Sequence, residues 1–247
     1  MTHRSPSSLL RLMWLASPAL PVGGFSYSEG LEAAVEAGHV SDAVQATDWL
    51  VDQLHLGLAR SDLPWTAHAF GLWKNHAAHA AHAAHAAHAA CAGDEVTIDS
   101  LNARVLMTRE TAEFRLQTEQ MGRSLVQWMQ HSEQAMDPRV QRCASLKPAP
   151  SWPVAFALAG VLAGAGVKDL LLAFAFSWAE NMVQAAMKAV PLGQLAAQRI
   201  LQRLTDEIPQ AVDEAEVLPF DACQVMTPML AILSSQHEAQ YSRLFRS

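Results

Sequence analysis

The chain has 247 residues, of which 51% are hydrophobic and 17% charged, and its formal net charge is −7. A chain of this length can bury a substantial core, and its composition excludes general disorder. Because the net charge is negative, we expect neither nucleic acid nor an anionic membrane surface among its partners. The three cysteines, Cys91, Cys143 and Cys223, are too widely spaced to indicate a disulfide framework or a thiolate zinc site, and they fit a reducing cytoplasm.

The first predicted elements are helices separated by corners rich in Pro and Gly. An amphipathic helix breaks at Ser17-Pro18, and Pro21 with the pair Gly23-Gly24 predicts an elaborate corner after it. Further helices are predicted, in chain order, at 28–37, at 41–60 and from 62 onward. Since such a corner costs chain entropy, packing or a contact must offset that cost.

The corner sequence GFSYS at 24–28 is similar to the nucleophile elbow G-x-S-x-G, but Ser28 stands in place of the last Gly. An elbow also follows a strand, whereas a helix is predicted here, so Ser26 is not expected to be catalytic. Ser26 or Ser28 is instead expected to cap the next helix. Phe25 and Tyr27 are expected to be core anchors or part of a subunit contact, and for Phe25 we favour the core.

A low-complexity His/Ala segment at 76–90 repeats the triplet HAA. Its histidines are His76, His79, His82, His85 and His88. Successive members lie about 300° apart around a helix axis, and two neighbours can share a nickel or zinc ion through imidazole nitrogens. Such binding is expected to be weak, because nothing in the repeat fixes the rings. The alternative is a tolerated expansion that prolongs a helix or forms a loop.

The remainder of the chain predicts helices and no strands. Helical signal resumes near Asp99 and runs to about Gln134 with a bend near Thr108, and the polar stretch at 109–124 spaces Arg and Glu for ion pairs along a helix face. The segment KPAP at 147–150 is the strongest internal break. Four later helices are predicted at 153–165, at 169–188, at 191–208 and from 228 onward. The expected fold is all-α, a single domain of roughly eight to ten packed helices joined by Pro/Gly corners.

Motifs of independent enzymes are absent from the sequence. His237-Glu238 begins like the zinc-protease motif H-E-x-x-H, but Tyr241 occupies the position of the second His. Neither a P-loop nor G-x-G-x-x-G occurs, so the chain is not expected to bind and hydrolyse a nucleotide by itself. We therefore predict no catalytic residue and no enzyme activity.

The C-terminal sequence HEAQYSRLFRS at 237–247 concentrates the residue types that dominate protein interfaces. It holds two arginines and two aromatic residues within one short segment. One interpretation is a docking tail that becomes ordered on a partner. The other is an amphipathic last helix packed on the chain's own core. We favour the docking tail.

Five segments of the sequence occur in a recognisable order. They are LLRLMWLASPALPVGGFSYSEGLE, RETAEFRLQTEQMGRSL, AFALAGVLAG, AAMKAVPLGQLAAQRIL and HEAQYSRLFRS. Together they resemble the UreF family of urease accessory proteins over nearly the whole chain. The resemblance implies one UreF-like helical domain at 1–247 with a docking tail at 237–247. The His/Ala segment at 76–90 departs from the family pattern and resembles an insertion, so it is not expected to carry the family's activity.

The resemblance implies a specific function. UreF-like proteins are cytoplasmic, have no catalytic activity and no intrinsic cofactor, and tend to form homodimers. They join UreD, also called UreH, and the GTPase UreG in maturing apo-urease. By this resemblance the chain is a non-enzymatic maturation chaperone that bridges UreD and UreG and gates GTP-dependent nickel insertion. A nickel-binding buffer that acts through the His repeat is the alternative.

The resemblance also assigns interface residues. The tail residues expected to face UreD are His237, Glu238, Tyr241, Ser242, Arg243, Leu244, Phe245 and Arg246. The residues expected to face UreG, or to shape the corner where it docks, are Lys188, Pro191, Leu192, Gly193 and Gln194.

Overall fold

A computed structural model describes residues 5–82, 96–225 and 227–246, with the side chains of these ranges except those of 77–82. Over these ranges the chain is helical and contains no strand, which confirms the all-α prediction. The α-helices are, in chain order, α1 (Pro6–Leu15), α2 (Leu31–Glu36), α3 (Ala43–Asp52), α4 (Asp62–His82), α5 (Ile98–Met107), α6 (Ala112–Gln130), α7 (Pro138–Ala144), α8 (Trp152–Leu162), α9 (Val167–Ala189), α10 (Gln194–Glu216) and α11 (Pro228–Glu238).

Capping side chains and prolines set most of the helix starts. Asp42 accepts hydrogen bonds from two backbone N–H groups in the first turn of α3. Thr111 accepts one from the Phe114 N–H at the start of α6. Pro138 and Pro228 lie in the first turns of α7 and α11, where a missing N–H costs no hydrogen bond.

Three predicted helices differ from the observed ones. The helix expected at 99–134 is two helices, α5 and α6, because the chain leaves the helical path and Thr111 caps a new start. The helix expected at 41–60 continues beyond α3 as a π-helical turn, Gln53–Gly57, and a 3-10 turn, Leu58–Arg60. α10 begins at Gln194 rather than at 191, because the chain is extended after the end of α9.

The core is centred on α8, which packs between α4, α6 and α9. All of its residues from Trp152 to Gly160 are buried. Phe156 packs edge to face against Phe174 of α9, with 5.0 Å between ring centroids. The indole N–H of Trp73 on α4 donates to the Val154 carbonyl oxygen at 3.0 Å. The surrounding helices are therefore positioned by one apolar helix at the centre.

Among the described helices, α9 is the one that is long and apolar enough to cross a membrane. In the fold it is a core helix, since Leu170, Phe174, Trp178 and Met182 are buried and the helix packs chiefly against α10, α4 and α1. A buried core helix satisfies the same criteria of length and composition as a membrane span. Its apolar character is therefore explained by internal packing.

The segment before α8 is fixed to α5 and α6. A Cβ atom on Gly122 of α6 would lie 2.8 Å from the carbonyl carbon of Ser151 and would also meet the Pro150 carbonyl oxygen, so only glycine fits. The buried side chain of Asn102 on α5 accepts from the Ser151 N–H at 2.8 Å and donates to the Ala149 carbonyl oxygen at 3.0 Å. The break predicted here is a firmly held connection.

Two cysteines, Cys143 and Cys223, are buried free thiols. Burial raises the pKa of the Cys143 thiol to about 12 and that of the Cys223 thiol to about 11. Neither is a reactive thiolate at neutral pH. Cys91 lies outside the described residues.

The corner after α1 brings glycine, not phenylalanine, against the core. Gly23 has a φ of 79°, in the left-handed region that glycine adopts without strain. Gly24 then faces α9, where a Cβ atom would lie 2.7 Å from the Asn181 amide nitrogen. Tyr27 is buried, whereas Phe25 is 55% exposed. The expectation that Phe25 lies in the core is wrong, because Gly24 occupies the inward position of the turn.

Candidate functional site

The C-terminal residues 239–246, which we call the strap, cross back over α2 and α6 after α11 ends. His237, in the last turn of α11, is fully buried beneath the strap. Its Nδ1 lies 2.9 Å from Glu113 Oε2, and its Nε2 lies 3.1 Å from Glu32 Oε2. The two ring nitrogens thus lie within hydrogen-bonding distance of carboxylates on two different helices, and His237 bridges α2 and α6.

Glu32 holds the strap by its backbone. Its Oε1 accepts a hydrogen bond from the Leu244 N–H at 2.7 Å, and its Oε2 accepts one from the Phe245 N–H at 2.9 Å. Hydrogen bonds to an ionised carboxylate are stronger than those between neutral groups. Glu32 itself is only 7% exposed. The position of the strap is therefore fixed whichever side chain stands at residue 244.

Glu113 on α6 contacts both the strap and the last turn of α11. Its carboxylate accepts a hydrogen bond from Arg243 Nη1 at 2.8 Å, and its backbone N–H donates to Glu238 Oε1 at 3.2 Å. The two buried carboxylates, Glu32 and Glu113, thus face one guanidinium and one imidazole. A buried carboxylate is tolerated when opposite charges and hydrogen bonds compensate it, as they do here.

The end of the strap closes on the first corner of the chain. Phe245 is 5% exposed, and Lys188 Nζ lies 5.4 Å from the centroid of its ring. The Arg246 N–H donates to the Ser26 carbonyl oxygen at 2.8 Å. Burial raises the pKa of the neighbouring Tyr27 hydroxyl, and a hydrogen bond with the Arg246 side chain partly offsets that shift. The strap therefore joins the last described residues to the N-terminal corner.

The corner serines have structural roles. Ser26 follows helix α1 through a turn and not a strand, so the backbone lacks the arrangement of a nucleophile elbow. The Ser28 hydroxyl accepts a hydrogen bond from the Glu32 N–H at 3.4 Å, which fits the predicted capping of the next helix.

The structure divides the predicted tail into buried and exposed residues. The segment packs on the chain's own core, as the second interpretation of its sequence expects, but it does so without being a helix, because α11 ends at Glu238. His237 and Phe245 are buried, so their side chains are not available to a partner in this conformation. Tyr241, Ser242 and Leu244 are exposed. Ser247 lies outside the described residues.

The second predicted surface is the corner between α9 and α10. Four of its residues are exposed, and Leu192 is half-buried. The exposed residues are Lys188, Pro191, Gly193 and Gln194. The contact between Lys188 and Phe245 places this corner next to the end of the strap. Sequence analysis assigned the two sets to separate partners and gave no indication that they adjoin.

The His repeat is described only at its beginning. His76 is half-buried beside Trp73, with 6.0 Å between ring centroids. His79 and His82 fall within α4, in the part where side chains are not described, and His85 and His88 lie outside the described residues. Within the described ranges no group of three or more His, Cys, Asp or Glu side chains is arranged to hold a metal ion. Metal binding by the repeat stays a prediction.

Sequence analysis missed Glu32 and Glu113 as strap-binding residues. Both look like ordinary helix carboxylates in the local pattern, and the only available signal was the Arg/Glu spacing predicted for ion pairs at 109–124. Two such pairs form, both with Glu119: Arg115 Nε lies 3.1 Å from its Oε1 and Arg123 Nη2 lies 3.6 Å from its Oε2. Glu113 instead turns to α11 and the strap.

The described fold and site define an all-α protein whose candidate site is a surface for binding other proteins. The family model for UreF matches residues 40–205. The chain is 56% identical over 241 residues to the urease accessory protein UreF of Polaromonas sp. strain JS666, an alignment that covers 98% of this chain and 95% of the relative. The chain therefore belongs to the UreF family of urease accessory proteins, which confirms the resemblance.

Two further relatives have the same name. The urease accessory protein UreF of Methylibium petroleiphilum is 54% identical over 241 residues, covering 98% of this chain and 94% of the relative. The urease accessory protein UreF of Paracidovorax citrulli is 54% identical over 244 residues, covering 98% of this chain and 90% of the relative. The similarity thus extends beyond the residues matched by the family model, to both the N-terminal corner and the strap.

Proposed function

We propose that this chain is a non-catalytic adaptor of urease maturation in the cytoplasm. It binds UreD, also called UreH, through the exposed face of the strap, and it binds the GTPase UreG through the α9–α10 corner. By engaging both, it gates GTP-dependent nickel insertion into apo-urease. The observation that carries the proposal is the contact of Lys188 with Phe245, which makes the two predicted surfaces neighbours.

The strap has an ordered backbone and exposed side chains, which are the properties of a preorganised binding surface. Its backbone is held by Glu32, while the side chains of Tyr241 and Leu244 are fully and 70% exposed. Aromatic and apolar side chains on an ordered backbone lose less conformational entropy on binding than those on a free tail. These two side chains are therefore the proposed contacts with UreD.

The adjoining surfaces offer a physical route for coupling. A partner that shifts Phe245 removes the ring that faces Lys188, and so changes the surface offered to UreG. Two ligands are coupled when each alters the free energy of binding the other. The contact between Lys188 and Phe245 therefore supports an adaptor whose affinity for one partner changes when the other is bound.

Homodimer formation is also part of the proposal. On α1 the side chains of Leu10, Met13 and Trp14 are 65%, 62% and 55% exposed. Large apolar side chains grouped on one exposed helix mark a surface for protein association. A second copy of the chain is the occupant that we propose.

Co-purification with UreD tests the proposal. A chain with Tyr241→Ala and Leu244→Ala should keep its fold, because both side chains are exposed, and should lose most of its UreD binding. Val217→Ala is the matched control, since Val217 is 78% exposed at the end of α10. Normal recovery of UreD with the double variant would reject the strap as its binding site.

A further inference from the structure

A cavity with a mostly apolar lining and a few buried polar groups lies beneath the N-terminal corner, apart from the strap and the α9–α10 corner. Its volume is about 110 Å³, and its walls come from the corner, the start of α4, the connection from α5 to α6, and α6 and α9. One water molecule requires roughly 10–15 Å³ of such space. The cavity can therefore hold several waters or one small ligand.

Glu29 is the central acidic group of this cavity. It is the one described residue other than glycine with a positive φ, 51°, so the backbone is held in an unfavourable conformation that directs its side chain. Its Oε1 accepts from Gln117 Nε2 at 2.6 Å, and its Oε2 accepts from Trp178 Nε1 at 2.8 Å. Both donors are neutral, and burial raises the pKa of Glu29. The nearby charge of Arg109 lowers that pKa in part, but Arg109 donates its hydrogen bonds to Asp62 and not to Glu29.

Among the described residues that line the cavity, Arg109 is the one basic side chain, and it is already paired with another acid. Arg109 binds Asp62 in a fork, with Nη2 to Oδ1 at 2.7 Å and Nη1 to Oδ2 at 3.1 Å. Glu110 also lines the cavity. Glu110 is exposed to solvent, so the largely buried acids are Glu29 and Asp62, which share the one guanidinium of Arg109; with both ionised the buried lining is negative. The charge balance favours a positively charged occupant.

Two polar groups of the wall have no partner. Thr227 Oγ1 and Arg109 Nε are buried without a hydrogen bond. The Thr227 oxygen can accept a hydrogen bond from an N–H group in the cavity, and a water molecule can accept from Arg109 Nε–H. The rings of Trp152, Phe174 and Trp178 are among the apolar side chains of the lining. Such rings attract a cation across their faces.

We propose that this cavity binds a small organic cation of the guanidinium or ammonium class. Its N–H groups donate to the Glu29 carboxylate and to the Thr227 hydroxyl oxygen. Its charge compensates that of Glu29, and its flat or apolar side lies against the tryptophan rings. The site belongs to the folded chain alone and requires none of the partners of the proposed function.

Calorimetric titration of the full chain tests this site. Guanidinium chloride, at concentrations far below those that denature proteins, should bind saturably. Urea has the same planar shape without the charge and should not bind, and sodium chloride controls for ionic strength. Glu29→Gln should weaken guanidinium binding by at least about tenfold, as expected for the loss of one charge-assisted contact. Glu36→Gln, which removes an exposed carboxylate on α2, should leave binding unchanged.

A second variant keeps the test decisive if Glu29→Gln does not fold. Ser177→Leu fills the cavity from α9 and retains Glu29, so it should also abolish guanidinium binding. Absence of saturable binding to the wild-type chain, equal binding of urea, or undiminished binding by a folded variant of either kind would overturn the proposal.

Discussion

Lys188 and Phe245 meet where the end of α9 adjoins the end of the strap, with the Lys188 ammonium 5.4 Å from the centroid of the ring. A cation within about 6 Å of an aromatic ring is attracted to its face. Phe245 is buried and Lys188 is exposed. A displacement of the strap would therefore change the surroundings of Lys188 at the surface of the α9–α10 corner.

Removal of the Phe245 side chain should release the strap. Phe245→Ala deletes a buried ring, and in protein cores such a change lowers the free energy of unfolding by about 3 kcal/mol. Local opening of the strap requires less free energy than unfolding of the whole chain, so the loss should appear there first. Hydrogen exchange at the amides of residues 244 and 245, which are bound to Glu32, should become at least about tenfold faster. Leu244→Ala is the control, because that side chain is exposed. Unchanged protection in Phe245→Ala would show that Glu32 alone holds the strap.

Lys188 should contribute to UreG recruitment. Lys188→Ala removes the exposed ammonium beside Phe245, and we expect UreG to bind about fivefold more weakly, as for the loss of roughly 1 kcal/mol. A pull-down titration with UreG measures the effect. Lys74→Ala, at an exposed position on α4, is the matched control. If both variants recruit UreG and support urease activation as the wild type does, the assignment of this corner fails.

Glu29 should make the stability of the fold depend on pH. Burial raises its pKa above the ordinary value of 4.5. The folded state then binds the proton more tightly than the unfolded state, so this group's contribution to the free energy of unfolding decreases as pH rises from 4.5 through the folded-state pKa. Glu29→Gln should gain stability relative to the wild type over that interval.

Urea denaturation at successive pH values measures this difference. Glu36→Gln is the control, because its carboxylate is exposed. Parallel stability curves for the wild type and Glu29→Gln would contradict the expected titration.

Gly122 should be irreplaceable where α6 meets the segment before α8. Gly122→Ala places a methyl group against the backbone of Pro150 and Ser151, which cannot move aside as a side chain can. We expect a loss of about 3 kcal/mol in the free energy of unfolding, measured by chemical denaturation. Gly71→Ala on α4 meets no atom within 4 Å and should instead gain about 1 kcal/mol from helix propensity. Equal effects of the two substitutions would refute the close approach.

The helical architecture was predictable because its signals are local. Proline at the start of α7 and α11, and the glycines around the first corner, act within a few residues of where they stand. The break between α5 and α6 is also encoded locally, by Thr111, but the polar residues that continue on both sides of it are equally compatible with the predicted bend. The error at Phe25 has another cause. Helical periodicity does not apply within a corner, so the sequence does not show which of Phe25 and Tyr27 is the more deeply buried.

The candidate site was predictable only in part, because its contacts join distant segments. The tail composition predicts an interface at 237–247, but it does not predict the internal contacts of that segment: the hydrogen bond between His237 and Glu32 links residues 205 positions apart. No pattern within either helix indicates that pairing. The cavity around Glu29 could not be predicted for the same reason, because its partners Gln117 and Trp178 come from two other helices.

The strap also determines when during synthesis the surface can form. Glu32 and Phe245, which it joins, are 213 positions apart. At a translation rate of about 5–20 residues per second, the acceptor precedes its donor by on the order of ten seconds or more. Until then, the buried carboxylates of α2 and α6 lack the strap groups that compensate them. A chain that has not been translated as far as the strap therefore does not present the finished surface, and partners that recognise the strap would engage only chains that already include it.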